Sequence, residues 1–429
     1  MSFTWWLLQF LIPFGFMLFF VLGLMVPMMM WMDRKVSAYI QDRRGPNRAH
    51  IRGLKLFGIF HGVADLIKLA FKGSSQTEAK SRALFRWAPW WVFGSAILGM
   101  AVVPFGAPIS FGQKTFFLQI APLQAGILFV LAILFLGVHG IIWAGWSSGS
   151  AFSALGAMRA SAQLFSYSIG LGLSVVGMLL VFGTTELVAI VQGQGANPLT
   201  WGIFLSPVGF LIFFTCLFAA CHRGPFDMPH STADLAGGYL SEYSSSKFAL
   251  LYLSEYIHVV VGSAVLVTLF LGGWQVPFLS KSFILAHANL FMSMFMILSG
   301  MALLVLSAIL LHSILKPFFH WRDHRDGEPG LFLPVTVSLG LVFLMMGVGV
   351  LPTLQVSWLP PFALLFLQTL SFCVKVLLVT FFFVWVRWTL PRFRYDQLMR
   401  IGWMIFIPLG IFNIFLTHLW ATIWLAIWG

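Results

Sequence analysis

The sequence is poor in charge. Only 9% of its 429 residues are Asp, Glu, Lys or Arg, and only 13 are acidic, while 59% are hydrophobic. With a mean hydropathy of +0.92, this composition excludes a soluble globule, whose surface would need far more charge. Cysteine is scarce as well: three residues, Cys216, Cys221 and Cys373, all in or at the ends of apolar runs. That count excludes a disulfide framework. Cys216, Cys221 and His222 lack a fourth ligand and a loop spacing, so they read as buried side chains and no metal site is expected. The loops carry no nucleotide motif, thiolate cluster or haem ligand set, so no intrinsic cofactor is expected. Strict alternation of apolar and polar residues is also missing, which argues against a transmembrane barrel.

What is present is a series of long apolar runs, each sufficient to cross a bilayer as a helix. They fall near 5–32, 87–106, 119–146, 160–192, 201–222, 248–272, 282–316, 331–352, 360–386 and 402–428. The expected fold is therefore all-α: a polytopic transmembrane bundle of about ten spans. The first run has no basic residue before it and is too long for a signal-peptide core, so a retained helix is expected. Twenty-two of the 25 Lys and Arg fall on one side of the spans, and only Lys114 and Lys281 lie in the opposite loops. The positive-inside rule makes the charged side cytoplasmic and puts both termini outside. The net charge of +12 then faces anionic lipid or an acidic partner, not nucleic acid, for which a basic soluble domain would be needed.

The cytoplasmic loops hold the features. In 53–73, His61, Asp65, Lys68 and Lys72 form one polar stripe, and Leu56, Ile59, Phe60, Val63, Ile67 and Phe71 cover the rest. This is the pattern of an interfacial helix. It fits either a lipid-surface helix with a snorkelling polar face or a lateral gate for an amphiphile entering from the bilayer. Within the spans, ionisable residues are costly and each is a candidate site. They are Glu186, Glu255, Lys375, His139, His258, His287 and His312, with Glu255 and His258 on one helical face three residues apart.

The stretch GPFDMPHSTADLAGGYLSEY (224–243) gathers three of the 13 acids, Asp227, Asp234 and Glu242. Were it loosely helical, the three would share a face, although Pro229 and Gly237-Gly238 must break or distort any helix. Clustered carboxylates repel, which raises pKa values and suits proton transfer. The plain alternative is a solvated loop.

RGPFDMPHSTADLAGGYLSEYSSSKFALLYLSEY (223–256) resembles the signature loop of the H-type, quinone-site membrane subunit of proton-pumping NADH:quinone oxidoreductase, respiratory complex I. DRKVSAYIQDRRGPNR (33–48), GWSSGSAFSALGAMRASAQLFSYS (145–168), TLFLGGW (268–274) and WVRWTLPRFRYDQLMRIGW (385–403) agree in order. The resemblance implies a bacterial inner-membrane subunit with no redox centre of its own. It would bind ubiquinone or menaquinone, contact iron–sulfur subunits of the peripheral arm and further membrane subunits, and begin an acidic proton path. It places Arg34, Gln41, Arg43, Arg223, Phe226 and Asp227 along a quinone chamber. Asp234, Glu242 and Glu255 match the acidic path. The cytoplasmic loops, with Arg387, Arg392, Arg394 and Asp396, would dock the peripheral arm, and the helix of His61, Asp65 and Lys68 would border the quinone entrance.

The sequence departs from that family's pattern in ways that thin the acidic path. His230 and Thr232 stand where glutamates are usual, Ser168 replaces the acid of SYE, Asp234 is an aspartate, and Asp33 replaces the glutamate of ERK. His230 is a substitute proton carrier near neutral pH. Between GGW (272–274) and WVR (385–387) the chain has three spans where one is usual. Three parts are therefore expected: 1–272 with the chamber loops, an inserted pair of spans in 273–358, and 359–429 with the last two spans. The alternatives are the membrane anchor of a hydrogenase-type or other-donor complex, and a free-standing ion transporter, which would show internal repeats.

Overall fold

The computed structural model describes residues 3–46, 49, 58–74, 79–111, 114–229, 231–315, 328–350 and 359–428. The chain begins with α1 (Phe3–Leu18), a π-helical stretch (Phe19–Met25) and α2 (Val26–Ile40), joined as one rod. Next come α3 (Phe60–Phe71), α4 (Arg82–Met100), and a small antiparallel hairpin of β1 (Ile109–Phe111) and β2 (Lys114–Phe116). The middle of the chain holds α5 (Gly126–Ser147), α6 (Ala151–Phe182), α7 (Leu187–Gln194), α8 (Gly202–Leu205) and α9 (Pro207–Ala220). The loop that follows contains α10 (Thr232–Leu235) and leads to α11 (Ser245–Phe270). The remainder is α12 (Lys281–Ala286), α13 (Ala288–Leu315), α14 (Glu328–Met345), α15 (Leu359–Thr389), α16 (Tyr395–Arg400) and α17 (Ile407–Trp428).

Eight helices among the described residues are long and apolar enough to cross a membrane, and the fold is the expected all-α bundle. The other two expected spans fall on α4, which opens with Arg82 and Arg86, and on α9, which has only 14 residues. Ser206 breaks the chain after α8, and Pro207 restarts it at the first helical position, where a missing N–H costs nothing. The expected fourth span, 160–192, is two helices, because Gly183 turns the chain at φ +64°.

Three helices widen into π turns, over Phe19–Met25, Met346–Val350 and Ile401–Phe406. Each stretch ends two residues before a proline: Pro27, Pro352 and Pro408. A proline cannot donate to the carbonyl four residues back, and its ring crowds that carbonyl. At Pro27 and Pro408, opening the turn ahead lets the helix pass without breaking.

The centre of the bundle is α11. It packs against α2, α4, α7, α9 and α15, and 78% of its apolar window is buried, against 11% for α13 and 17% for Phe332–Gly349. Its apolar residues encircle the helix, as a fully enclosed helix requires. By contrast α13 and α14 pair chiefly with each other, through Gly300, Gly340 and Gly347, where backbones meet closely. Their outward residues are Leu, Val, Met and Ile.

Candidate functional site

The chain's scarce charge converges beside the first turns of α11. Asp33, midway along α2, is 6% exposed, and Arg223 and Glu255 are 3% and 5% exposed. The Asp33 carboxylate accepts from the Arg387 guanidinium at 2.5 Å, Trp388 Nε1 at 2.8 Å and the Tyr256 hydroxyl at 3.1 Å. Arg223 bridges the two acids, 3.9 Å from Asp33 and 4.0 Å from Glu255, with its guanidinium 4.1 Å over the Tyr256 ring. Burial works against its charge, but Tyr256, Glu255 and Asp33 around it more than offset that and raise its pKa. The Tyr239 hydroxyl donates to Glu255 at 2.9 Å. Its pKa is raised well above the usual tyrosine value, by burial first and then by the Glu255 charge, so it stays a donor.

Elements from four parts of the chain build this cluster. Gly156 of α6 lets the 229–239 backbone come within a distance that a Cβ would forbid, 2.7 Å from Pro229 O and 2.9 Å from Gly238 Cα. Gln163, fully buried on α6, donates to Ala219 O and Phe226 O, both at 2.8 Å, and so holds Arg223 between fixed points. Phe226 sits between Tyr167 and Phe393, with ring centroids 5.5 and 5.4 Å away. The Phe393 N–H donates to Pro225 O at 3.2 Å, which ties the 387–400 segment to the acidic loop.

The carboxylates of that loop do not share a helical face. Asp227 is buried and paired with Arg392 at 3.1 Å, whereas Asp234 is exposed and lies 3.7 Å from Arg159. Glu242 is half-buried. The physical reason is the backbone: α10 is a single turn, ended by Ala236 and Gly237 in the left-handed region at φ +50° and +99°. His230 lies outside the described residues, as does the side chain of Thr232.

A second feature opens under α3. Arg34 on α2 and Asp65 on α3 form an ion pair, and Ser245, at the start of α11, donates to the Lys72 and Leu69 carbonyls. These ties enclose a cleft of about 310 Å³ lined by Met30, Leu66, Lys68, Leu69, Tyr252 and Leu253, among others. Asp65, Lys68 and Lys72 of the polar stripe line the cleft, the two lysines remaining exposed, while Ile59, Val63, Ile67 and Phe71 are 41, 40, 53 and 87% exposed. This inversion of the soluble pattern suits a helix bathed in lipid. His61 accepts from the Ala49 N–H at 3.4 Å; burial first, then Arg34, lowers its pKa.

Not every expected residue joins these features. Gln41 and Arg43 are exposed and bond to each other at 2.7 Å. Arg394 and Asp396 are also exposed, whereas Arg387 pairs with the buried Asp33, and Arg392, itself exposed, reaches the buried Asp227. Tyr239, Tyr252, Tyr256 and Trp388 belong to the cluster without having been singled out from sequence, and Asp33 was noted there only as a departure from the family pattern. For Asp33 a signal existed, since an acid in so acid-poor a chain is informative. Lys375, the charge in the middle of α15, sits at the opposite end of α11. It donates to Leu271 O, Gly273 O and Gln275 O at 2.8, 3.1 and 2.7 Å, over the Trp201 ring at 4.0 Å.

The family profile described as NADH dehydrogenase matches residues 14–315 and 332–418. The NADH-quinone oxidoreductase H 1 subunit of Solibacter usitatus is 35% identical over 405 residues, covering 93% of this chain and 94% of its own. That of Cytophaga hutchinsonii is 34% identical over 385 residues, covering 90% and 89%. The NADH-quinone oxidoreductase subunit 8 of Rhodothermus marinus is 32% identical over 407 residues, covering 94% and 95%. The family match runs through all the elements that build the cluster and the cleft. The chain belongs to the NADH dehydrogenase family, as an H-type membrane subunit of the oxidoreductase complex, respiratory complex I.

Proposed function

We propose that the cleft beneath α3 receives the quinone and that the Asp33–Arg223–Glu255 cluster takes part in its protonation. One observation carries this reading: cleft and cluster are joined by a continuous chain of polar contacts. Tyr252 lines the cleft, and its hydroxyl lies 2.9 Å from that of Tyr256, which donates to Asp33 at 3.1 Å. Arg223 then links Asp33 to Glu255, and Tyr239 closes the series. The cleft walls are mostly apolar and fit an isoprenoid tail, while Arg34, Lys68 and Tyr252 offer donors to a carbonyl oxygen. Quinone reduction takes two electrons and two protons. The electrons come from partner subunits of the peripheral arm; the tyrosine–carboxylate series delivers protons and couples their uptake to translocation.

The arm docks on the charged end of the bundle, which is cytoplasmic by its excess of Lys and Arg in an inner membrane. There Arg394 and Asp396 are exposed and available. In this reading 273–358 is an added pair of spans, α13 and α14, facing lipid, and 1–272 and 359–429 build the chamber.

Leu69→Trp fills the cleft without touching the cluster. In the assembled complex it should raise the quinone KM about tenfold, corresponding to about 1.4 kcal/mol. NADH oxidation by an artificial acceptor that draws electrons from the peripheral arm should be unchanged. An unaltered quinone KM would remove the cleft from the quinone's path.

A further inference from the structure

One turn beyond Glu255, α11 carries His258, and both side chains line a small enclosed cavity of about 20 Å³ between α4, α5, α6 and α11. That volume holds one water molecule. His258 Nδ1 is 2.8 Å from the carbonyl of Ser254, so its proton is on Nδ1 and its lone pair on Nε2. Nε2 points to Gly137 on α5: a Cβ there would lie 3.2 Å from Nε2 and 3.1 Å from Ser95 Oγ. The Ser95 hydroxyl already donates to Val92 O at 2.9 Å, so it meets this space as an acceptor.

The rest of the lining decides what His258 answers to. From α4 comes Val92; from α5 Leu134, Gly137, Val138 and Ile141; from α6 Leu164. The titratable groups are Glu255, Tyr239, Cys221 and His222, and a cation, Arg223, lies behind Glu255 at 4.0 Å. An imidazole placed here shares a space the size of one water with a carboxyl group. Among the residues lining this cavity, that carboxyl group is its one charge partner.

We infer that His258 is a proton acceptor for Glu255, extending the proton path one helical turn deeper into the membrane. The inference rests on the proposed role of Glu255 in quinone-coupled proton movement. In the step, the Glu255 carboxylic acid gives its proton to the cavity water, and that water gives one to His258 Nε2. A carboxylate and an imidazolium result, with the Nδ1–H bond to Ser254 intact, and the reverse transfer resets the pair. The hand-over takes the proton about 4.5 Å along the α11 axis, away from the cluster that holds Arg223.

Two variants of the complex in sealed vesicles test this. His258→Gln keeps the size and the hydrogen bond to Ser254 but takes up no proton. Gly137→Ala alters no titratable group and puts a methyl against Nε2. Both should lower quinone-coupled proton pumping about tenfold or more, with the artificial-acceptor rate retained as the sign of assembly. The inference is overturned if either variant assembles and pumps as the parent does. If one fails to assemble, the other decides. Glu255→Gln separates the two readings. Loss of pumping in it, with His258→Gln unaffected, sinks the His258 step alone, while normal pumping in it sinks the role of Glu255 as well.

Discussion

The two ends of α11 solve the same problem by different means. Where the helix begins, buried charges are matched with charges: Asp33 with Arg387 and Arg223, Glu255 with Arg223, Asp227 with Arg392. Where it ends, a single ammonium, Lys375, is held by three backbone carbonyls just past the last turn and by the face of Trp201. The helix dipole favours a cation at that end. Matched ions in a low-dielectric site can exchange protons and respond to a neighbour's charge. The second end holds its cation with neutral groups and ties α15 to the loop that follows α11, whereas the first joins ionised groups from several parts of the chain.

Breaking each end should therefore have different consequences. The largest effect is expected for Arg223→Met, which leaves Asp33 and Glu255 buried beside an apolar side chain. Removing one partner of such a set costs about 3–5 kcal/mol, and the amount of this chain retained in the assembled complex should fall sharply. Lys375→Met should cost less, about 1–3 kcal/mol, since it frees neutral carbonyls instead of stranding charges. It should lower the complex's thermal stability while leaving the quinone KM unchanged; a raised KM would mean that the far end also serves the site. Asp234→Asn should have the smallest effect. Its pairing with Arg159 is exposed, and such pairs are worth about 0–1 kcal/mol. Thermal stability should stay close to that of the parent protein, and a large loss would place Asp234 in the buried network with Asp227.

Much of this arrangement could be read from the sequence, because apolar runs and the one-sided distribution of Lys and Arg are properties of single residues. The bundle, the amphipathic α3 and the weight placed on Glu255 follow from them, whereas Arg223 is pointed to by the family resemblance alone. What stays hidden in a sequence are properties of pairs. The choice of Asp33 as the centre of the cluster depends on Arg387 and Trp388, more than 350 residues away in the chain. The pairing of Asp65 on α3 depends on Arg34 across the cleft. The three loop acids were expected on one face only if the loop was helical, and Ala236 and Gly237 in left-handed conformations prevent that. The π turns were half legible: the prolines are visible in the sequence, but the relief of their crowding is a property of the folded helix.

The central claim, that quinone enters the cleft between α2, α3 and α11, is tested most directly by labelling the assembled complex with a photoreactive quinone and mapping the adducts. We predict labelled peptides from 60–72 and 248–253, suppressed by excess unmodified quinone and by Leu69→Trp. Adducts confined to the lipid-facing α13 and α14, or unaffected by competing quinone, would contradict it.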